Sequence, residues 1–236
     1  IYSKITTVGY YCNPIQYAEH RKTLENVICT AGKFGATHVS TFAGAWEGKP
    51  VESAYEEFGK VFRELADLAE EKGVKLGIEN CLMDGTWEHA TCNIGFNPKA
   101  WEVMFEEVKN DNFGLEWEPT HQMVQLIDPV TELRKWCKKI VHIHGKDATI
   151  DWDAVRHSGI SGAVPFVWHR MPGFGDTNWR DIISILRSNG YEDDICIEGY
   201  HDPVYSGELE MTGQLHALNY LKWCRGGDFT PTPWEK

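Results

Sequence analysis

Short β-rich segments alternate with amphipathic helical segments along the whole chain. Six such segments are predicted as strands: residues 5–11, 38–43, 75–80, 113–119, 140–147 and 194–200. This alternation is typical of a parallel sheet whose strands are joined by crossover helices. Two closures fit it, an open doubly wound sheet or a (β/α) barrel. No GxGxxG motif follows the first strand, so the dinucleotide-binding form of the open sheet has no support.

The segments between the strands carry signals for helix starts and ends. Residues 54–72 place apolar side chains at helical spacing, and Gly73 follows where a C-cap is expected. The pairs Asn97–Pro98 and Asp128–Pro129 each put a capping side chain before a proline, which is typical of a helix start. Residues 148–178 are predicted to be irregular and to cover one mouth of the sheet.

The polar side chains of the later strands share one face. In the strand over 75–80, Leu76 and Ile78 point to one side and Glu79 to the other, since side chains alternate with a period of two. The same phase recurs in the later strands, whose polar faces end in Glu79, Glu118, His144 and Glu198. In a parallel barrel this face lines the lumen, and the carboxyl ends of the strands form the mouth. We therefore expect these four side chains to converge.

Three carboxylates and one imidazole in one place predict a divalent metal site. Burying several carboxylates together is costly unless a cation compensates their charge. Oxygen donors with one imidazole suit Mn²⁺, Mg²⁺ or Co²⁺, whereas a structural zinc site would more often use cysteine. The alternative is that these are unrelated carboxylates at loop starts that face water.

The net charge, the lengths of the apolar stretches and the cysteines exclude some classes of protein and indicate a location. The net charge of −12 disfavours sequence-independent binding to nucleic acid. No apolar stretch approaches the ~20 residues needed to span a bilayer, and the first residues lack a signal-peptide pattern. The seven cysteines are scattered without a CxxC pair. They indicate reduced thiols and a cytoplasmic location.

Seven short segments together resemble the xylose-isomerase-like TIM-barrel superfamily, specifically its sugar phosphate isomerase/epimerase group. They are GYYCNP (9–14), VSTFAG (39–44), GIENC (77–81), EPTH (118–121), HIHGKD (142–147), PGFGDTNW (172–179) and IEGYHDP (197–203), in the family's order. The resemblance implies an α/β fold over residues 1–236, a single TIM-type (β/α) barrel domain with six recognisable βα units.

The resemblance begins at the family's third strand, so the first two βα units of the usual eight are expected to be absent from this chain. Three explanations stay open. The preceding segment was lost, a partner chain completes the barrel, or this is a natural partial barrel. The other partner that we expect is a second copy of this chain, in a homo-oligomer.

The resemblance also implies roles for individual residues. The metal ligands would be Glu79, Glu118, His144 and Glu198, with Glu79 and Glu198 as the base and acid pair. His121 would bind substrate, and three further residues are expected to contact it: Arg170, Lys146 and His201. Mn²⁺ is the ion we expect first, with Mg²⁺, Co²⁺ or Zn²⁺ as alternatives. Glu118 stands where the family usually has aspartate, which leaves the identity of the ion open.

The expected activity is isomerisation or epimerisation of a sugar or polyol. It would proceed by proton abstraction next to a carbonyl through a metal-stabilised enediolate. A lyase or dehydratase acting on a keto-sugar would use the same site. An abasic-site endonuclease would need a basic groove, which the acidic charge disfavours. The fourth possibility is a non-catalytic subunit that binds a sugar or a partner.

Three groups of side chains keep two interpretations each. Glu116 is either a group behind the metal ligands or part of an ion pair in the lumen. His142 is expected to be a satisfied interior side chain rather than a ligand. Aromatic residues of the long segment could stack on a sugar ring or enclose it: Trp152, Phe166, Trp168 and Phe174.

Overall fold

A computed structural model of the protein describes residues 4–227 and 230–232. The chain divides into two compact units. The first contains the residues up to His144 together with Asp193–Cys196, and the second contains Gly145–Glu192 together with the residues from Ile197 onward. The single domain predicted over residues 1–236 stays a prediction.

Eight strands form among the described residues. They are β1 (Thr7–Gly9), β2 (His38–Thr41), β3 (Lys75–Glu79), β4 (Phe113–Trp117), β5 (Ile140–Gly145), β6 (Asp147–Ile150), β7 (Val167–Arg170) and β8 (Ile195–Ile197). Six of them form one sheet in the order β1-β2-β3-β4-β5-β8. The pairs from β1 to β5 are parallel. Each strand of this sheet lies inside one of the six predicted segments, so the predicted strand order is confirmed.

Eight α-helices accompany the strands in the same part of the chain. They are α1 (Ala18–Ala31), α2 (Tyr55–Glu71), α3 (Pro98–Glu107), α4 (Pro119–Met123), α5 (Pro129–Trp136), α6 (Trp152–Ser158), α7 (Trp179–Ser188) and α8 (Glu210–Arg225). The predicted caps are confirmed, since Asn97 accepts from the Lys99 N–H and Asp128 accepts from the Val130 N–H. None of the described helices is long and apolar enough to cross a membrane.

The main sheet is strongly curled. Neighbouring strands lie about 4.8 Å apart, so β1 and β5 of a flat sheet would be separated by about 19 Å. Instead, the Thr7 hydroxyl on β1 lies 3.3 Å from Nδ1 of His142 on β5. The rings of His38 on β2 and His142 lie 5.8 Å apart. The polar side chains of β1, β2, β4 and β5 therefore share the concave face, as in a barrel.

The longest helix of the first unit covers the other face of the sheet. On α2, Phe58 and Phe62 are fully buried and stack at a centroid distance of 4.6 Å. The ring of Phe113 at the start of β4 lies 6.0 Å from that of Phe62. Each buried phenylalanine contributes about 1.5–3 kcal/mol to stability. After α2, Gly73 has a φ of 68° and donates to the Glu70 carbonyl, which confirms the predicted stop.

The prediction of an irregular segment over residues 148–178 is wrong. This part of the second unit contains an antiparallel pair, β6 and β7, in which Asp147 lies opposite Arg170 and Ile150 opposite Val167. It also contains α6. Both strands are rich in β-branched or aromatic residues, but they are short and separated by a helix. Because no tight turn joins them, the hairpin signal was missing from the sequence.

Candidate metal centre

Three of the four predicted metal ligands come together in the first unit. Glu79 is the last residue of β3, Glu118 follows directly after β4, and His144 lies near the end of β5. Each offers a ligand atom, and these atoms lie within 4.8 Å of one another. The carboxyl ends of three adjacent parallel strands therefore carry this cluster, which we call the Glu79 cluster.

The imidazole of His144 is the centre of the arrangement. Its Nδ1 lies 3.0 Å from Oε1 of Glu79 and 3.6 Å from Oε2 of Glu118. Its Nε2, on the opposite edge of the ring, lies 3.2 Å from Oε1 of Glu116. One ring thus separates the two predicted carboxylate ligands from a third carboxylate.

The backbone around the cluster is held by asparagine side chains. The Glu118 N–H donates to Oδ1 of Asn80 at 2.7 Å, and Nδ2 of Asn80 donates to the Glu118 carbonyl at 2.9 Å. Asn80 follows Glu79 in the chain, so this pair of bonds ties the ends of β3 and β4 together. Nδ2 of Asn93 donates to the Glu79 carbonyl at 2.9 Å. The two carboxylates therefore project from a rigid edge.

Burial and mutual repulsion make it costly for all carboxylates of this cluster to be ionised together. Glu116 and Glu118 are fully buried, and Glu79 is only 7% exposed. Burial raises the pKa of Glu79, the hydrogen bond with His144 partly offsets that rise, and the charges of Glu118 and Glu116 increase it. Several buried carboxylates at this separation favour a bound cation.

The donor set of the Glu79 cluster fits a divalent ion. Two carboxylates and one imidazole are ligands that Mn²⁺, Co²⁺ and Zn²⁺ accept, and Mg²⁺ prefers the oxygens. Donors bound at about 2.0–2.2 Å lie roughly 3 to 4.5 Å apart around one ion, a range that matches the cluster. Glu79, Glu118 and His144 could therefore hold such an ion from this unit.

The predicted substrate-binding histidine lies beside the cluster. His121 is on α4, one turn after Glu118, and its Nε2 lies 3.3 Å from Oε1 of that glutamate. The His121 side chain is 12% exposed. Pro119 at the first position of α4 starts this turn directly after the strand. Contact between His121 and a substrate stays a prediction.

The other predicted site residues belong to the second unit. Lys146 is buried, and its Nζ donates to Oε1 of Glu198 at 2.8 Å. Nε of Arg170 donates to Oδ2 of Asp202 at 3.3 Å. His201 is exposed and has a φ of 72°. The roles of Glu198 as ligand and acid, and of the other three as substrate contacts, stay predictions.

Sequence reasoning did not name Tyr11 as part of this region. Its hydroxyl donates to Oε2 of Glu116 at 2.8 Å. Burial, followed by the charge of Glu116, raises the pKa of Tyr11 far above its usual range. The available signal was strand phase, because Tyr11 shares the parity of Thr7 and Gly9 on β1.

Comparison with known proteins identifies the family. Residues 5–222 match the xylose isomerase-like TIM barrel family, and the chain belongs to it. Similar curated proteins include the inosose dehydratase of Clostridium tetani, 26% identical over 182 residues that cover 75% of this chain and 57% of that protein. The inosose dehydratase of Clostridium perfringens ATCC 13124 is 22% identical over 227 residues, 92% of this chain and 73% of that protein.

Solved structures show the same fold. A xylose isomerase domain protein from Planctomyces limnophilus has a TM-score of 0.72 at 18% identity, covering 94% of this chain and 76% of that one. D-psicose 3-epimerase has a TM-score of 0.70 at 16% identity, covering 94% and 79%. The IOLI protein, crystallised with a bound zinc atom, has a TM-score of 0.66 at 21% identity, covering 94% and 74%. The predicted TIM-barrel fold class and superfamily are confirmed.

Proposed function

We propose that this chain carries the metal centre of an enzyme that removes a proton next to a carbonyl of a keto-sugar or keto-polyol. The observation that supports this most directly is the Glu79 cluster, with its two buried carboxylates and one imidazole at the carboxyl ends of β3–β5. In barrels of this type the carboxyl ends of the strands form the active site. A divalent ion bound there would act as a Lewis acid toward the carbonyl oxygen.

Within this proposal, Glu79 accepts the proton. In the metal-free chain, burial raises its pKa, with repulsion from neighbouring carboxylates as a further cause, and the charge of a bound divalent ion would lower it. His121 donates a hydrogen bond to a substrate hydroxyl. Glu198, whose role as the acid is implied by the family resemblance, returns a proton or assists a leaving group.

We propose loss of water as the outcome, ahead of epimerisation. The two curated relatives described above are inosose dehydratases. The epimerases resemble this chain at 14–17% identity in structure comparison, which speaks to the fold alone. Both outcomes begin with the same proton removal and differ only in whether a leaving group departs from the next carbon. The chain spans 57% of the length of the Clostridium tetani protein. That this chain has the activity of such a whole enzyme is therefore itself proposed.

Mn²⁺ is the ion we propose first, with Mg²⁺, Co²⁺ and Zn²⁺ as alternatives. The two glutamates and the histidine of the cluster do not discriminate sharply among these ions. The zinc atom in the IOLI structure makes Zn²⁺ the first alternative to test. A cytoplasmic location stays a prediction from the reduced cysteines.

The direct test is to incubate the chain with an inosose and Mn²⁺ in D₂O. We expect an unsaturated ketone to form, which ultraviolet absorbance detects. We also expect deuterium exchange next to the carbonyl, which NMR detects. Both signals should disappear in Glu79→Gln and persist in Glu106→Gln, which changes an exposed glutamate. Exchange without loss of water would support an epimerase instead. Sugar binding without either reaction would support the non-catalytic alternative.

A further inference from the structure

A third carboxylate lies behind His144 and has no part in the proposed reaction. Glu116 is on β4 and is fully buried. Its Oε1 lies 3.2 Å from Nε2 of His144, on the edge of the ring that faces away from Glu79 and Glu118. This carboxylate therefore approaches the nitrogen of His144 that is turned away from the Glu79 cluster.

The carboxylate of Glu116 is held in place from several sides. The Tyr11 hydroxyl donates to its Oε2 at 2.8 Å. Nε2 of His142, the residue opposite Glu116 in the pairing of β4 and β5, lies 3.8 Å from its Oε1. Neighbours at both oxygens therefore fix the orientation of the Glu116 carboxylate.

A neutral imidazole carries one proton, and the partner of each nitrogen decides where that proton lies. Carboxylates lie beside both nitrogens of His144, since Oε1 of Glu79 is 3.0 Å from Nδ1 and Oε1 of Glu116 is 3.2 Å from Nε2. A cation bound by Nδ1 in the Glu79 cluster would take the lone pair of that nitrogen, and the proton of the ring would then lie on Nε2, beside Glu116. Histidines that bind metals commonly donate their other N–H to a carboxylate, which fixes both the tautomer and the orientation of the ring.

We infer that Glu116 is a positioning residue that accepts the Nε2–H of His144 when Nδ1 binds a cation beside Glu79 and Glu118. The inference rests on the metal site of the proposed function, but not on the reaction proposed there. The structure also contains a competing arrangement, because Glu116, His142 and His144 offer ligand atoms within 4.8 Å of one another. A second ion bound there would take Nε2 of His144 and leave no site for the proton.

The tautomer is measured on the unmodified chain. Histidine ¹⁵N labelling and long-range ¹H–¹⁵N spectra report which ring nitrogen is protonated, and the His144 signal is assigned by its loss in His144→Gln. With Zn²⁺ added, we expect the proton on Nε2 of His144. A proton on Nδ1 would overturn the inference. A proton on Nε2 in a zinc-bound chain that catalyses no reaction of an inosose would support it while contradicting the proposed function.

Metal affinity gives the second readout, with free Mn²⁺ followed by EPR. In Glu116→Leu we expect the Kd for Mn²⁺ to rise about 10- to 100-fold, with a smaller rise in Glu116→Gln because its amide oxygen still accepts from Nε2–H. Tyr11→Phe is the control, since it removes the hydrogen bond to Oε2 and leaves the 3.2 Å contact of Oε1 with His144. Unchanged affinity in a folded Glu116→Leu variant would contradict the inference. So would two ions per wild-type chain with one lost in His142→Gln.

Discussion

The two units treat their buried carboxylates differently. In the second unit, Asp147 accepts backbone N–H groups from Ala148, Gly173 and Thr177. In the first unit, Glu79, Glu116 and Glu118 gather around imidazoles on the concave face of the sheet. Backbone N–H groups satisfy the oxygens of Asp147, whereas the carboxylates of the first unit are arranged as a bound cation would require. The difference separates groups that hold loops in place from groups suited to chemistry.

The largest expected effect is on activity, and it tests the first unit. If Glu79 is the base, Glu79→Gln should lower kcat/KM by about 10²- to 10⁴-fold. Steady-state kinetics with an inosose and Mn²⁺ measure this, and circular dichroism checks the fold. Glu106→Gln should retain wild-type kinetics. A Glu79→Gln variant that keeps full activity would contradict the catalytic role proposed for the carboxylates of the first unit.

The next effect is on stability, and it tests the second unit. Asp147→Ala leaves three backbone N–H groups without their acceptor. We expect the free energy of unfolding to fall by about 2–4 kcal/mol, as measured by urea denaturation. The Kd of the folded variant for Mn²⁺ should stay at the wild-type value. A large loss of metal affinity with unchanged stability would reverse the roles assigned to the two groups of carboxylates.

The pH dependence of stability should have opposite signs at Asp202 and Glu79. Burial alone would raise the pKa of Asp202, but hydrogen bonds from the N–H groups of Tyr205, Met171 and Val204 lower it overall. Its contribution is therefore present above the unfolded-state pKa and lost as the pH falls through the folded-state value. Burial, with repulsion from neighbouring carboxylates, raises the pKa of Glu79. Its contribution is present at low pH and lost as the pH rises.

Metal-free variants make this contrast measurable. At neutral pH, Asp202→Asn should destabilise the chain by about 1–2 kcal/mol, and Glu79→Gln should stabilise it. Both differences should shrink toward low pH, where the wild-type carboxyls are protonated. Urea denaturation with a chelator present, repeated from pH 4 to 8, gives the two curves. Differences of the same sign at neutral pH would show that the two carboxyls have similar environments.

The smallest expected effect is a loss of stability at two helix caps, one in each unit. Asn97 caps α3 in the first unit, and Asn178 caps α7 in the second by accepting from the Asp181 N–H. Replacing either with alanine should cost about 1 kcal/mol of unfolding free energy. Neither change should alter Mn²⁺ affinity, since both caps lie on helix starts away from the ligand residues in the sequence. A similar loss of affinity in both variants would show that general loss of stability affects the metal centre.

Strand phase was the most informative signal in the sequence. It predicted six strands and the meeting of Glu79, Glu118 and His144, because alternation within a strand and the parallel order of strands are local properties. It left Glu116 undecided and did not name Tyr11. Their contact joins β4 to the segment after β1, and such a contact exists only once the sheet has curled. The pairing of β6 with β7 was missed for a related reason, since a helix separates the two strands in sequence.

The sequence by itself determined the family, the order of the strands and the residues that end them, because periodicity, caps and short motifs are written in consecutive positions. Only the tertiary structure decided which carboxylates are satisfied by backbone N–H groups and which surround His144. Compensation depends on distances of 3–4 Å between residues far apart in the chain, and on the burial that makes each uncompensated charge costly. The placement of Glu116 behind the ring of His144 is of this second kind.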